Sequence, residues 1–219
     1  MKNINITLYK FTEIKTEARQ KALEQFRGIN TDHNWWENEY DFFVGICSTM
    51  GIRTSPQEIF FRGFYSQGDG SCFSSRINVV AMLKAVERQE WKNHIPNLEL
   101  DLIPCDIDRR VLALIENATI EVPTCTKTSH RYYCIQLDLE WRYYGNDNRN
   151  FSRIDSELLK LETWVMITLK KLNGYLYESL RDTYEHLTGD TAVQEAIEAN
   201  EYHFTTEGIY ADWIFDKAQ

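Results

Sequence analysis

The residues best suited to chemistry lie in one aromatic-rich stretch, residues 60–73, which contains Gly68-Asp69-Gly70. Glycine accepts positive φ angles, so an Asp-Gly step between aromatic-rich segments is typical of a tight β-hairpin turn. Successive backbone N–H groups in such a turn can point inward and bind an anion. Gly63, inside the first segment, would let a ligand or another backbone approach closely. The stretch therefore indicates a hairpin that binds an anionic ligand.

Side chains of this hairpin add the groups that a nucleotide-type ligand requires. On an ideal pleat Phe60, Arg62, Phe64 and Ser66 share one face, and Arg76 on the returning strand can join Arg62. Arginine binds phosphate through its planar fork and stacks on aromatic rings. We therefore predict a binding site for a small anionic ligand. Its residues are Arg62, Phe64, Tyr65, Ser66, Gln67, Asp69 and Arg76.

Two other interpretations of Asp69 stay open. It can hold the turn by hydrogen bonding to its own backbone. It can also serve as the general base of a nucleotide hydrolase, although no histidine is close to it in sequence. The sequence contains no Gly-x-Ser-x-Gly elbow, Walker A loop or dinucleotide fingerprint. Binding without turnover is therefore favoured over catalysis, and no catalytic residue and no cofactor are predicted.

A second group of polar residues precedes a predicted helix over 34–50. His33 and Glu37 are four residues apart and can face one cation if both are helical. Acidic residues at a helix N-terminus also complement the helix dipole, and Asp32 can be the cap. We expect this second role, and no metal site.

The hairpin resembles one in a family of small bacteriophage proteins. The resemblance lies in Gly63-Phe64-Tyr65-Ser66-Gln67-Gly68-Asp69-Gly70, and the departures are Arg62, where the family has Ser, and Ser71, where it has Ala. Residues 17–22 are similar to the opening helix of that family, and residues 195–208 to its C-terminal signature.

This resemblance implies a phage origin, and some members carry an antitoxin label. Together with the predicted hairpin site, a phage origin leads us to expect an anti-defence protein in the cytoplasm of an infected bacterium, which sequesters a nucleotide-type immune signal of the host. The alternative is an antitoxin-like inhibitor that acts on a host protein through an acidic surface. Residues 190–219 supply that surface, because they hold seven acidic residues and one basic residue.

The elements that must position the hairpin follow from hydrophobic periodicity. Strands are expected at 4–9, 58–66, 71–80, 119–125, 130–144 and 202–206. Helices are expected at 16–27, 34–50, 81–92, 106–118, 152–187 and 191–200, with a kink or break at Asn173-Gly174. Since these elements do not alternate as βαβ units, we predict one α+β domain over residues 1–219. It has an antiparallel sheet with helices packed on it, including one long C-terminal helix.

Composition limits the partners. The chain has 219 residues, with 24 basic and 33 acidic ones, and a formal net charge of −9. An acidic protein binds nucleic-acid backbone poorly, because that affinity comes from Lys and Arg. No apolar run of membrane-spanning length and no signal peptide are recognised, and the five cysteines form no C-x-x-C pair. We expect reduced thiols in a cytoplasm and no membrane contact. Exposed Trp35 and Trp213 would permit homo-oligomers.

Overall fold

The computed structural model describes residues 7–122, 124–129, 134–139, 141–144 and 152–216. The helices in these ranges are α1 (Thr16–Gln25), α2 (Glu37–Thr49), α3 (Val79–Arg88), α4 (Arg109–Glu116), α5 (Ser152–Leu187), α6 (Asp190–Ala199) and α7 (Trp213–Asp216). The strands are β1 (Tyr9–Lys10), β2 (Ile52–Arg53), β3 (Ile59–Arg62), β4 (Gly70–Phe73), β5 (Ser75–Ile77), β6 (Ile120–Glu121), β7 (Thr124–Ser129), β8 (Cys134–Leu139), β9 (Arg142–Tyr143) and β10 (His203–Phe204).

The α+β class is confirmed, and every strand pair is antiparallel. One sheet has four strands in the order β2-β5-β7-β8, and β1-β10, β3-β4 and β6-β9 form two-stranded sheets. Residues 1–6, 130–133, 140 and 146–150, on which parts of the predicted strands and of a polar loop fall, lie outside the described residues. Among the described helices, none combines the length and hydrophobicity needed to cross a bilayer.

The predicted strand over 71–80 is wrong as one element. Its first part, β4, pairs with β3, whereas its second part, β5, pairs with β2 and β7. It ends early because the side chain of Asn78 accepts a hydrogen bond from the N–H of Ala81 at 3.1 Å and so caps α3. An N-cap of this kind fixes where a helix begins.

The described chain divides into two compact units. Unit one contains the described residues up to Trp36 together with those from Arg181 onward, and unit two runs from Glu37 to Leu180. The single domain expected from the sequence stays a prediction.

Unit one has an aromatic and aliphatic core. Arg27 pairs with Asp190 at 2.5 Å and also donates a hydrogen bond to the carbonyl of Thr188 at 3.0 Å, which links the chain two residues after α1 to the start of α6. The pKa of Arg27 is raised by its hydrogen bonds to Asp190 and Glu24. The buried core residues are Phe11, Ile14, Ala18, Ala22, Leu23, Val193, Ile197 and Phe204.

Helix α5 is one continuous helix of 36 residues, which is about 54 Å long. Its leucines follow i+3 and i+4 steps and are buried, as the amphipathic pattern predicts. Of the two alternatives at Asn173-Gly174, the break into two helices is wrong. Asn173 is 4% exposed and stays helical, because its polar side chain has a partner inside the protein.

That partner is Ser71 on β4. The Ser71 hydroxyl donates to Asn173, with both the backbone carbonyl and Oδ1 at 3.0 Å, and the Asn173 side-chain amide donates to the carbonyl of Ser71 at 3.0 Å. Ser71 is 5% exposed, so this polar pair is closed off from water. Buried polar groups must be paired, and the pair therefore fixes β4 against α5 at one register.

We predict that Asn173→Ala lowers the free energy of unfolding by about 1–3 kcal/mol, because it leaves buried groups of Ser71 unpaired. The change is read from urea denaturation followed by tryptophan fluorescence. Replacing both partners, as Ser71→Ala with Asn173→Leu, is expected to cost less than the sum of the two single changes. Strict additivity would contradict a direct interaction.

Candidate functional site

The predicted hairpin exists, but its turn is not tight. β3 and β4 pair from Ile59 opposite Phe73 to Arg62 opposite Gly70, so the loop comprises residues 63–69. The chain leaves β3 at Gly63, where φ is +53°, and turns again at Gly68, where φ is +91°. Glycine adopts such angles without the steric cost that other residues pay. The strand expected to reach Ser66 therefore ends at Arg62.

The carboxylate of Asp69 organises this loop. Its Oδ2 accepts hydrogen bonds from the N–H groups of Tyr65 at 2.9 Å and Ser66 at 2.6 Å. The N–H of Asp69 in turn donates to the carbonyl of Ser66 at 3.1 Å. A Cβ at Gly63 would lie 2.6 Å from Asp69 Oδ2, so only glycine leaves room there. Two of the N–H groups that an external anion would use thus already bind an anion of the chain itself, which favours the structural role of Asp69.

The aromatic residues of the hairpin do not share one face. Phe64 stacks on Phe61, with ring centroids 5.5 Å apart, and contacts Tyr177 of α5 at 5.6 Å. Neighbouring residues of a strand point to opposite faces, so Phe61 points away from Phe60 and Arg62. The turn at Gly63 brings Phe64 to the Phe61 side. The common face expected for Phe60, Arg62, Phe64 and Ser66 therefore ends at Arg62.

The other predicted site residues are spread over two sheets. Arg62, Tyr65, Ser66 and Gln67 are exposed on the hairpin, and the side chain of Tyr65 is 72% exposed. Arg76 is exposed on β5 of the four-stranded sheet, directly opposite Arg53 rather than beside Arg62. That the seven residues bind a common ligand stays a prediction.

Unit two also contains an open groove that the sequence did not indicate. It lies between α5 and the irregular segment 101–106, and it encloses about 560 Å³. Three large aliphatic side chains are exposed there: Ile103 at 66%, Leu159 at 63% and Ile167 at 49%. Its lining consists of Ile103, Cys105, Asp106, Ser156, Leu159, Lys160, Thr163, Trp164, Ile167, Thr168 and Lys171.

Two contacts hold segment 101–106 along α5. The indole N–H of Trp164 donates to the carbonyl of Ile103 at 2.6 Å. The ammonium of Lys171 pairs with the carboxylate of Asp101 at 2.8 Å and also contacts the carbonyl of Asp101. Both polar contacts from α5 thus fall in the first half of the irregular wall, at Asp101 and Ile103.

The two lysines of the groove differ in their partners. Lys160 pairs at 2.6 Å with Glu157, whose side chain is 11% exposed and also accepts the N–H of Asp108 at 2.8 Å. These two bonds lower the pKa of Glu157, and the carboxylate raises the pKa of Lys160. Lys171 pairs with Asp101, whose side chain is 90% exposed. The carboxylate on Lys171 is therefore the more easily displaced of the two.

Thiol chemistry is disfavoured in the groove. Burial, as the main cause, raises the pKa of Cys105 to about 11, so near neutral pH the thiolate, which is the nucleophilic form, is scarce. Burial also raises the pKa of Cys47, which has no exposed surface. Cys125 and Cys134, on β7 and β8, are described only in their backbone.

The helix that was expected to bring His33 and Glu37 together begins only at Glu37. His33 is therefore not on α2, and Asp32 is too far upstream to cap it, whereas Glu37 and Glu39 occupy the first turn as the dipole argument predicts. In the described residues no group of three potential metal ligands is found.

Part of the acidic C-terminal region has partners within unit one. Asp190 pairs with Arg27, and Asp212 binds both the ring Nδ1 of His203 at 2.9 Å and its backbone N–H at 3.1 Å. Glu195, Glu198, Glu201 and Glu207 are exposed. An inhibitory acidic surface stays a prediction and would depend on these remaining acids.

Sequence reasoning missed the groove and Arg53. A signal for the groove exists in α5: Leu159 and Ile167 are apolar but fall outside its buried stripe, and apolar residues at exposed helix positions often mark a binding surface. The facing of Arg53 and Arg76 depends on the register of two very short strands, for which the local sequence carries no signal.

The fold and the groove define an α+β protein with an open cleft along its long helix. The family model described as "Domain of unknown function (DUF8835)" matches residues 35–190, and the chain belongs to this family. The match includes the hairpin, the groove and the Arg53–Arg76 pair. No curated protein and no solved structure matches the chain. The resemblance to bacteriophage proteins stays a prediction.

We predict that Asp69→Ala accelerates amide hydrogen exchange at Tyr65 and Ser66 by tenfold or more, because both N–H groups lose their acceptor. Exchange measured by mass spectrometry or NMR reads this directly. Gln67→Ala, at an exposed position of the same loop, serves as the control and is expected to leave exchange unchanged. Equal exchange in Asp69→Ala and the wild type would show that the carboxylate does not hold the loop.

A second prediction concerns the pH dependence of stability. Because the pKa of Glu157 is lowered in the fold, its contribution is present above its ordinary pKa of about 4.5 and is lost as the pH falls through the lowered value. Glu157→Gln is therefore expected to melt below the wild type near neutral pH, with a gap that closes in acid. Melting curves over this pH range test it, and a constant gap would contradict it.

Proposed function

We propose that this protein is a binding protein that holds a small anionic ligand with an apolar body in the groove of α5, without turning it over. The observation that carries the proposal is the groove itself: a cavity of about 560 Å³ whose exposed wall is aliphatic and which has a displaceable lysine at one end. Small-molecule sites are concave, mostly apolar and equipped with a few polar groups that orient the ligand.

The apolar part of the ligand would lie over Leu159, Trp164 and Ile167. These residues belong to one rigid helix, and the indole of Trp164 is already oriented by its bond to Ile103. A wall that needs no rearrangement costs little free energy to organise when a ligand binds. Exposed Leu159 and Ile167 would gain from losing contact with water.

The anionic group of the ligand would pair with Lys171. Glu157, the carboxylate partner of Lys160, is largely buried and also accepts the N–H of Asp108. It therefore cannot move away from Lys160 without leaving the N–H of Asp108 unpaired. Among the described residues, Asp101 has Lys171 as its side-chain partner, and it lies almost entirely in water. An exposed ion pair of this kind contributes little and is readily exchanged. Asp101 therefore occupies the position that the ligand anion takes.

A general-base role for Asp69 has less support, because its carboxylate is engaged by two backbone N–H groups. That a nucleotide-type ligand binds at the hairpin remains a proposal, and a parallel arm of the binding experiment tests it. In that form, the protein would sequester a host immune signal, and Arg62 and Arg76 would be required.

The test is a binding assay with two matched probes, anilinonaphthalene sulfonate, which is anionic, and N-phenylnaphthylamine, which is neutral. We expect saturable binding of the anionic probe at one site. Leu159→Gln and Ile167→Gln should weaken both probes. Lys171→Met should weaken binding of the anionic probe only. The Asp101→Asn variant should bind that probe several-fold more tightly, because the competing carboxylate is gone.

Controls are available in the same chain. Ile209→Gln removes an aliphatic side chain of similar exposure in unit one, and Lys170→Met removes the neighbouring exposed lysine outside the groove lining. Neither should affect binding. Absence of saturable binding, or equal losses in the control variants, would refute the groove as the site.

A parallel arm uses a panel of cyclic and linear nucleotides, with analysis of the supernatant after heating. Intact nucleotide released from the protein, and lost in Arg62→Ala, would place binding at the hairpin instead. Chemically altered nucleotide, with loss of activity in Asp69→Asn, would establish an enzyme.

A further inference from the structure

We infer that Arg53 and Arg76 form a second anion site, on the four-stranded sheet, which takes a phosphate-type dianion. The two residues are directly opposite each other on the antiparallel strands β2 and β5. Cross-strand partners lie on the same face, with Cβ atoms about 4.5–5.5 Å apart. Two positive side chains are thus held next to each other by the backbone register.

This placement costs stability unless an anion compensates it, since like charges directly opposite each other on a sheet repel. Several other bases of the described chain have an acidic partner, such as Arg27 with Asp190 and Arg153 with Asp108. In the described part of the chain, neither Arg53 nor Arg76 takes part in an ion pair or a side-chain hydrogen bond. Both side chains are exposed, so both guanidinium groups can reach a ligand from water.

The surroundings favour access from one side. β2 is an edge strand of the sheet, so Arg53 borders open solvent. Three polar side chains close in sequence have other partners: Asn78 caps α3, Thr54 donates to the carbonyl of Ser74 at 2.8 Å, and Glu58 accepts from Ser55 at 3.1 Å. The guanidinium groups are therefore not neutralised by these neighbours.

The chemistry of the pair selects the ligand class. Each guanidinium presents a planar fork of N–H donors that matches two oxygens of one anion. Two adjacent forks match an anion with several oxygens and two negative charges, which describes phosphate and phosphate monoesters better than a single carboxylate. Inorganic phosphate and the phosphate group of a nucleoside monophosphate share this chemistry.

The experiment measures the melting temperature of the full chain in low millimolar phosphate and in sodium chloride of equal ionic strength. Phosphate strengthens apolar burial in any protein, so the informative quantity is the difference between variants. The melting temperature of the wild type should rise by several degrees in phosphate. Arg53→Gln and Arg76→Gln should melt higher than the wild type in chloride, because the repulsion is relieved, and should lose the gain in phosphate.

Arg109→Gln is the matched control, because it removes an exposed arginine on α4 and should keep the full response. Broadening of the phosphorus NMR signal by the wild type, and not by the two variants, provides a direct second measurement. If a nucleoside monophosphate raises the melting temperature more than phosphate does, and the nucleoside alone has no effect, the ligand is a phosphate ester. An equal phosphate response in all variants would overturn the site, and it would leave the separate groove proposal untouched.

Discussion

The hydrogen-bonded pair of Ser71 and Asn173 is the constraint on which the arrangement of unit two depends. Both residues are almost fully buried, and each offers polar groups that have no access to water. Since their five polar atoms satisfy each other, β4 can meet α5 at only one register. The pairing of β3 with β4 then places the hairpin loop, and Phe64 comes to lie against Tyr177 one turn further along α5.

The same pair also sets the rotation of α5 about its axis. With Asn173 and the leucine stripe facing inward, the side chains of Leu159, Thr163 and Ile167 face the other way at the helical period. One face of α5 therefore packs in the core, and the opposite face lines the groove. Core packing makes this wall of the groove rigid, and the residues of α5 that do not pack in the core determine its chemistry.

The long helix, the α+β class and the hairpin could be predicted because each has a strong local pattern. α5 repeats its leucines over ten turns, and no single polar residue can override such a signal. Prediction failed where the outcome depends on distant residues. Asn173 looked like a break, because its partner is about a hundred positions away in the chain. The strand over 71–80 looked continuous, because the pairing of β5 with β2 depends on the turn at Gly51, where φ is +69° and the carbonyl accepts the N–H of Asn78.

In the hairpin loop, the residues that determine the path of the backbone differ from those whose side chains form the exposed tip. Its course is determined by Gly63, by the carboxylate of Asp69 and by the packed ring of Phe64, whereas Tyr65 and Ser66 contribute their backbone N–H groups to it. The side chains at the tip can therefore be exchanged without altering the path of the chain, much as a variable loop is carried on a constant framework. Proteins that share this framework need not recognise the same molecule.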